Sequence, residues 1–132
     1  MANLSSPGSV FKSLLFAPGN KKTVLSKLPR SEPSASIIDL EDSVPLDEKE
    51  NAREISKSAI IELTQEAAEM PLFVRVNAFE SEHFHKDISN AISDLLAGVV
   101  VPKISSQEEA DQISISLSDL GFTDLPIMAG LE

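Results

Sequence analysis

The sequence predicts an α/β fold built on a parallel sheet, and three observations carry that prediction. Five short apolar runs recur along the 132 residues, stretches with helical spacing separate them, and each run stops at a residue able to do chemistry. Leu14-Leu15-Phe16-Ala17 ends at Pro18-Gly19-Asn20, and Ala35-Ser36-Ile37-Ile38 ends at Asp39-Leu40-Glu41-Asp42. Leu72-Phe73-Val74 gives way to Arg75-Val76-Asn77, Val99-Val100-Val101 to Pro102-Lys103, and the run from Pro126 to Leu131 to Glu132. In parallel sheets the carboxyl ends of the strands gather on one face, where ligands bind. Asp39, Glu41, Asp42, Arg75, Asn77, Lys103 and Glu132 are therefore expected on one rim.

The elements follow in order. Residues 1–11 hold no basic n-region and no apolar h-region, so they read as a disordered lead-in rather than a secretory signal. The first strand comes after Lys12, and Val24, Leu25 and Leu28 then give a helix over 21–28. Pro29 and Pro33 mark a loop into the second strand. Pro45-Leu46-Asp47 predicts a helix start with Asp47 at the N-cap and Glu48 and Glu50 in the first turn. Ala52, Ile55, Ala59, Ile60 and Leu63 form its apolar face. After the third strand the composition predicts a polar loop from Glu80 to His85. A helix then runs from about Asp87 to Leu96, burying Ile88, Ala91, Ile92, Leu95 and Leu96. Gly98 introduces the fourth strand. Ser106-Gln107-Glu108-Glu109 resembles a capping box, opening a helix with Ala110, Ile113 and Leu117 inward and Gly121 near its C-cap.

Two architectures share this alternation, an eight-fold barrel and an open doubly wound sheet. A barrel takes about 250 residues, so this chain would supply about the first five β/α units, over residues 12–132. The last strand has no helix after it, which in a finished sheet would leave an apolar edge open. The expectation is thus the N-terminal part of a (β/α) barrel of TIM type; a complete small sheet of order 2-1-3-4-5 is the alternative.

Composition narrows the partners. Hydrophobic residues make up 42% and charged residues 24%, and the formal net charge is −10. So acidic a body repels phosphate backbones and anionic lipid, which argues against nucleic acid and membrane surfaces as partners. Cysteine is absent, which removes thiol catalysis, disulfides and thiolate metal sites. No apolar run approaches the ~20 residues of a membrane helix. A cytoplasmic protein with a small-molecule site is expected.

Among the rim residues, Asp39, Glu41 and Asp42 repel one another unless a cation is near. Taken by themselves they are equally well read as solvated loop acids or a helix cap. Arg75 is more specific, because it stands where a strand interior becomes the rim and its planar fork grips carboxylates. Asp39 or Glu41 is its candidate partner. Lys103 is better read as an ion-pair partner than as a Schiff-base lysine, since surrounding carboxylates raise its pKa. Glu132, directly after an apolar strand, offers oxygen to a hard cation. His83 and His85 flank Phe84 and lack a third metal ligand, so an exposed loop or subunit contact is expected there. No Gly-x-Gly or Gly-x-Ser-x-Gly pattern exists.

The ordered motifs Ser13-Leu14-Leu15-Phe16-Ala17-Pro18-Gly19, Ile38-Asp39-Leu40-Glu41-Asp42-Ser43-Val44, Lys49 with Asn51-Ala52-Arg53, Val74-Arg75-Val76-Asn77, Gly98-Val99-Val100-Val101-Pro102-Lys103 and Gly130-Leu131-Glu132 resemble the citrate lyase β-subunit-like branch of the HpcH/HpaI aldolase family. The resemblance implies a (β/α)₈ barrel, Mg²⁺ and carbon–carbon lyase chemistry on a hydroxy-acyl-CoA or other acyl-thioester, giving an acyl-thioester and a 2-keto acid, in a homo-oligomer. It implies Arg75, Asp39 and Glu41 as catalytic residues, and Glu132 as a metal ligand. Arg75, Lys49, Asn77 and Lys12 would bind substrate. Lys12 stands where the family commonly has Arg, Ser105 where it often has Glu, and the second metal-binding acid would fall beyond residue 132. A metal-dependent aldolase acting on a free hydroxy-keto acid, and a truncated non-catalytic fragment or interaction module, are the alternative readings.

Overall fold

A computed structural model describes residues 13–130. The 1–11 lead-in, Lys12 and Glu132 lie outside the described residues. Five strands, β1 (Leu14–Pro18), β2 (Ala35–Asp39), β3 (Leu72–Arg75), β4 (Gly98–Val101) and β5 (Ile127–Ala129), alternate with helices α1 (Lys22–Ser26), α2 (Lys49–Glu66), α3 (Phe84–Asn90) and α4 (Gln107–Asp119). All pairings are parallel and the spatial order is β1-β2-β3-β4-β5. That sequential order is the barrel's, and it excludes the 2-1-3-4-5 sheet.

Strand alternation sorts the two faces. Ala17, Ile38, Val74 and Val99 lie level with one another and share the main core with Leu25, Ile60, Leu63, Ile88, Ile113 and Leu117 from the helices. On the other face Ala35, Ile37, Phe73 and Val100 form a second, smaller cluster. There Leu14 and Phe16 of β1 remain about half exposed, at 48% and 51%. The next level up on that face carries Pro18, Asp39, Arg75, Val100 and Met128 in register. The pairing of strands thus sets Asp39 beside Arg75.

β1 and β2 leave the sheet pressed together. Gly19 N–H donates to the Asp39 carbonyl at 2.8 Å. A Cβ at position 19 would lie 2.6 Å from Ser56 Oγ and 2.8 Å from Leu40 Cδ2, so any larger residue would force these buried side chains to shift.

Local expectations hold in places and fail in others. Ser106 Oγ caps α4 by accepting from Glu109 N–H at 3.1 Å, while the Glu109 carboxylate turns to Ser105. Asp47 is not an N-cap. It sits inside a 3₁₀ turn, Leu46–Glu48, and α2 begins at Lys49 with no side-chain cap. Pro45 holds the chain extended before that turn, and α2 starts where the Lys49 side chain reaches beneath the sheet's rim. α1 ends at Ser26, with Leu28 in a separate 3₁₀ turn and Val24 exposed. The third helix starts three residues early and stops at Asn90. Phe84 is fully buried and draws part of the expected polar loop into the helix. Ser93 Oγ then accepts from Leu95 N–H, a local turn that competes with helix and leaves Leu95 exposed.

Candidate active site

Asp39 ends β2 and Arg75 ends β3, and their register turns neighbouring strands into one charged pair. Arg75 Nε and Nη2 donate to the two Asp39 carboxylate oxygens, each at 2.8 Å. The chain after β2 folds back to supply three more donors. Glu41 N–H reaches Oδ1 at 2.9 Å, and Ser43 N–H and Oγ reach Oδ2 at 3.0 and 2.7 Å. A buried ion pair loses hydration that its mutual attraction recovers only when the remaining lone pairs are satisfied, and here they are. Burial pushes the Asp39 carboxyl upward, but the bonds from Arg75, Ser43 and Glu41 outweigh it and bring its pKa down to about 2. The Arg75 guanidinium is shifted upward by its bond to Asp39 against the effect of burial.

Around this pair the rim is unevenly furnished. The Glu41 carboxylate lies 3.6 Å from Arg75 Nε and 3.7 Å from Lys103 Nζ. Lys103, at φ +58° and with a 61% exposed side chain, touches it from the end of β4. The Arg75 guanidinium sits 5.1 Å above the Phe16 ring, a cation–π contact. A shallow cleft of about 420 Å³ opens there, lined by Phe16, Pro18, Asp39, Asp42, Ser43 and Arg75. The fork uses Nε and Nη2, which leaves Nη1 outside the Asp39 pair.

Behind the rim a second set of polar groups holds the loop. Lys49 Nζ donates to the Leu40 and Glu41 carbonyls at 2.8 and 2.6 Å. Burial lowers the Lys49 pKa, opposed by the nearby carboxylates of Asp87, Asp39, Glu41 and Asp42. Asn77 Nδ2 donates to the Leu40 carbonyl at 3.0 Å and to Asp87 Oδ2 at 2.7 Å. Asp87 also accepts from Asn77 N–H at 2.8 Å and from Arg53 Nη1 at 3.0 Å.

The structure thus brings Arg75 and Asp39 together at the cleft, with Glu41 buried beside Arg75. It turns Lys49 and Asn77, both expected to face substrate, toward backbone behind it. Lys12 and Glu132 lie outside the described residues. Phe84, expected in an exposed loop, is buried edge-to-face against Phe79 and His85, each at 5.2 Å. Asp87, Ser43 and Phe16 gain roles that motif reading missed. For Asp87 a signal existed: it lies within the apolar spacing Phe84, Ile88, Ala91, and an acid on such a stripe needs a buried partner.

The donor set tests the fit of a hard cation. Both Asp39 oxygens are taken by nitrogen and hydroxyl donors, and no cluster of three or more His, Asp or Glu suited to a metal exists among the described residues. The described rim does not by itself make a magnesium cage.

Comparison with known proteins completes the picture. The chain is 43% identical over 131 residues to the citrate lyase subunit beta-like protein of Deinococcus radiodurans, covering 98% of this chain and 45% of that protein. It is 30% identical over 122 residues to a (3S)-malyl-CoA thioesterase of Cereibacter sphaeroides, covering 92% and 40% respectively. The chain therefore spans less than half the length of these relatives. The citrate lyase beta subunit of M. tuberculosis, solved with oxaloacetate and magnesium, superimposes with a TM-score of 0.64 at 22% identity, over 88% of this chain and 45% of that one. That likeness shows the fold, an α/β segment of a TIM-type barrel. Residues 12–122 match the family described as HpcH/HpaI aldolase/citrate lyase, and the chain belongs to that family of lyases.

Proposed function

We propose that this chain carries the Arg75–Asp39 rim of a magnesium-dependent lyase that cleaves a hydroxy-acyl-CoA into an acyl-thioester and a 2-keto acid. One observation supports it most: a rigid, bidentate arginine, held edge-on by a buried carboxylate, faces an open cleft at the strand ends. Cleavage passes the substrate hydroxyl proton to a general base. The electrons of the breaking carbon–carbon bond move onto the thioester as an enolate, which takes up a proton at carbon to give the acyl-thioester. Arg75 places a permanent positive charge where anionic oxygen binds or develops. Asp39 keeps that guanidinium oriented and ionised. Fully hydrogen-bonded and with a pKa of about 2, it is not the general base; its catalytic contribution runs through Arg75. Glu41 adds a second carboxylate beside the same guanidinium, and Lys49 and Asn77 hold the loop.

Support for magnesium comes from the M. tuberculosis complex and from Glu132, which resembles a family metal ligand. Since the described rim holds no cage, no step is assigned to the ion. Isothermal titration with Mg²⁺ tests this part, with Glu132→Gln expected to weaken binding and leave the metal-free melting temperature unchanged. The setting proposed is a cytoplasmic homo-oligomer. No described helix is long and apolar enough to cross a membrane.

The 30% identical thioesterase supports a second reading on the same class of substrate, hydrolysis of the thioester. Product analysis separates them. Incubation of the protein with a hydroxy-dicarboxylyl-CoA and Mg²⁺ should yield a 2-keto acid and an acyl-CoA. Free CoA with the intact hydroxy acid would establish hydrolysis instead, and no turnover of any such thioester would refute both readings.

A further inference from the structure

We propose that Asp87, a residue of α3 away from the cleft, is a positioning residue that fixes the direction of the Arg75 guanidinium through Asn77 and the Leu40 peptide. The inference rests on the reading of Arg75 as the charge that meets substrate.

Asp87 is 0% exposed, and its two oxygens do different things. Oδ1 takes Arg53 Nη1 from α2, which neutralises the buried charge. Oδ2 takes both the backbone N–H and the side-chain Nδ2 of Asn77, just past the end of β3. Any buried ion pair needs its remaining lone pairs satisfied; what distinguishes this one is that the residue satisfying them continues toward the rim. The second arm has a direction. Asn77 Nδ2 lies between two acceptors, Asp87 Oδ2 and the Leu40 carbonyl, so its amide has a single orientation that satisfies both.

Leu40 is the peptide through which this orientation acts. Its carbonyl accepts from Asn77 Nδ2 and Lys49 Nζ, and its N–H donates to the carbonyl of Arg75 at 2.9 Å. Leu40 stands between Asp39 and Glu41, so a peptide held from both sides sets where Asp39 receives the Glu41 and Ser43 donors. Those donors in turn set the plane of the carboxylate that Arg75 grips. From Asp87 to the guanidinium every link is a hydrogen bond of 3.0 Å or less, or a peptide unit.

Asp87→Asn breaks this arrangement at constant shape. Its amide nitrogen would confront Asn77 or Arg53, both of which donate, so one arm must let go. Asn77→Ala cuts the same path nearer the rim and leaves the Asp87–Arg53 pair in place. The reporter is the Arg75 Nε–H resonance, whose exchange with solvent needs no substrate. In variants that keep the wild-type circular dichroism, exchange should quicken by tenfold or more. Turnover of the hydroxy-acyl-CoA should fall by a factor of ~10–10², chiefly in kcat, as for a misplaced contact. Unchanged Arg75 exchange in a folded Asp87→Asn or Asn77→Ala protein would overturn the positioning role. Quickened exchange in a protein whose wild type turns over no acyl-CoA would retain the positioning role and refute the lyase reading.

Discussion

Two cations meet the same carboxylate at this rim, and the protein treats them differently. Arg75, with a 20% exposed side chain, makes a two-pronged bond at 2.8 Å to Asp39 and lies 3.6 Å from Glu41. Lys103, 61% exposed, reaches Glu41 at 3.7 Å from a left-handed backbone position. Charge and neighbourhood are alike; desolvation and geometry are not. The value of an ion pair is set by what each partner gives up to water and by how many hydrogen bonds replace it. The rim is consequently built firmly at the β2 and β3 exits and loosely at β4.

The largest break in that contrast should come from Arg75→Met, which strands the Asp39 charge in a buried site. A cost of about 3–5 kcal/mol is expected in urea unfolding, against near zero if the pair matters no more than a surface contact. Arg75→Lys retains charge but loses the planar fork. Turnover of the acyl-CoA by the protein carrying this chain should fall by a factor on the order of 10²–10³, and an unaltered rate would remove Arg75 from the chemistry. Acid provides the next test. Asp39 has a folded pKa of about 2, below the ordinary aspartate value of 3.8. Its contribution is therefore complete above the unfolded value and lost as pH falls through the folded one. About 2 kcal/mol should disappear between roughly pH 4 and pH 2, and Asp39→Asn should remove that part of the pH dependence. The smallest effects belong to Lys103. Lys103→Ala should cost less than about 1 kcal/mol. Lys103→Gly should melt above Lys103→Ala, because glycine relieves the backbone at φ +58°.

Much of the sheet is legible in sequence because β2 is buried at every position and β4 likewise. A strand covered on both faces reads as a near-continuous apolar run, interrupted in β2 by Ser36, whose buried hydroxyl meets Met70 Sδ. The rim acids and Arg75 are legible for the same reason, as the first polar residues after those runs. What stays hidden is direction. Lys49 and Asn77 have the composition of a ligand-binding rim, yet their donors turn toward the Leu40 carbonyl, and periodicity does not say where the head of a long side chain goes. The start of α3 is hidden because Phe84 and His85 continue the polar turn of Glu80, Ser81, Glu82 and His83, and only the complete burial of Phe84 draws these two residues into the helix.

The tethering of the Leu40 peptide has a consequence for how a ligand arrives. With its N–H on one strand exit and its carbonyl on two side chains from behind, the segment after β2 has little left to organise when a substrate enters. The entropy of ordering that segment is lost once, during folding, and not again at each encounter. A ligand at this edge of the cleft therefore meets a finished surface. Its capture is governed by diffusion, charge and ionic strength rather than by waiting for the acidic turn to close.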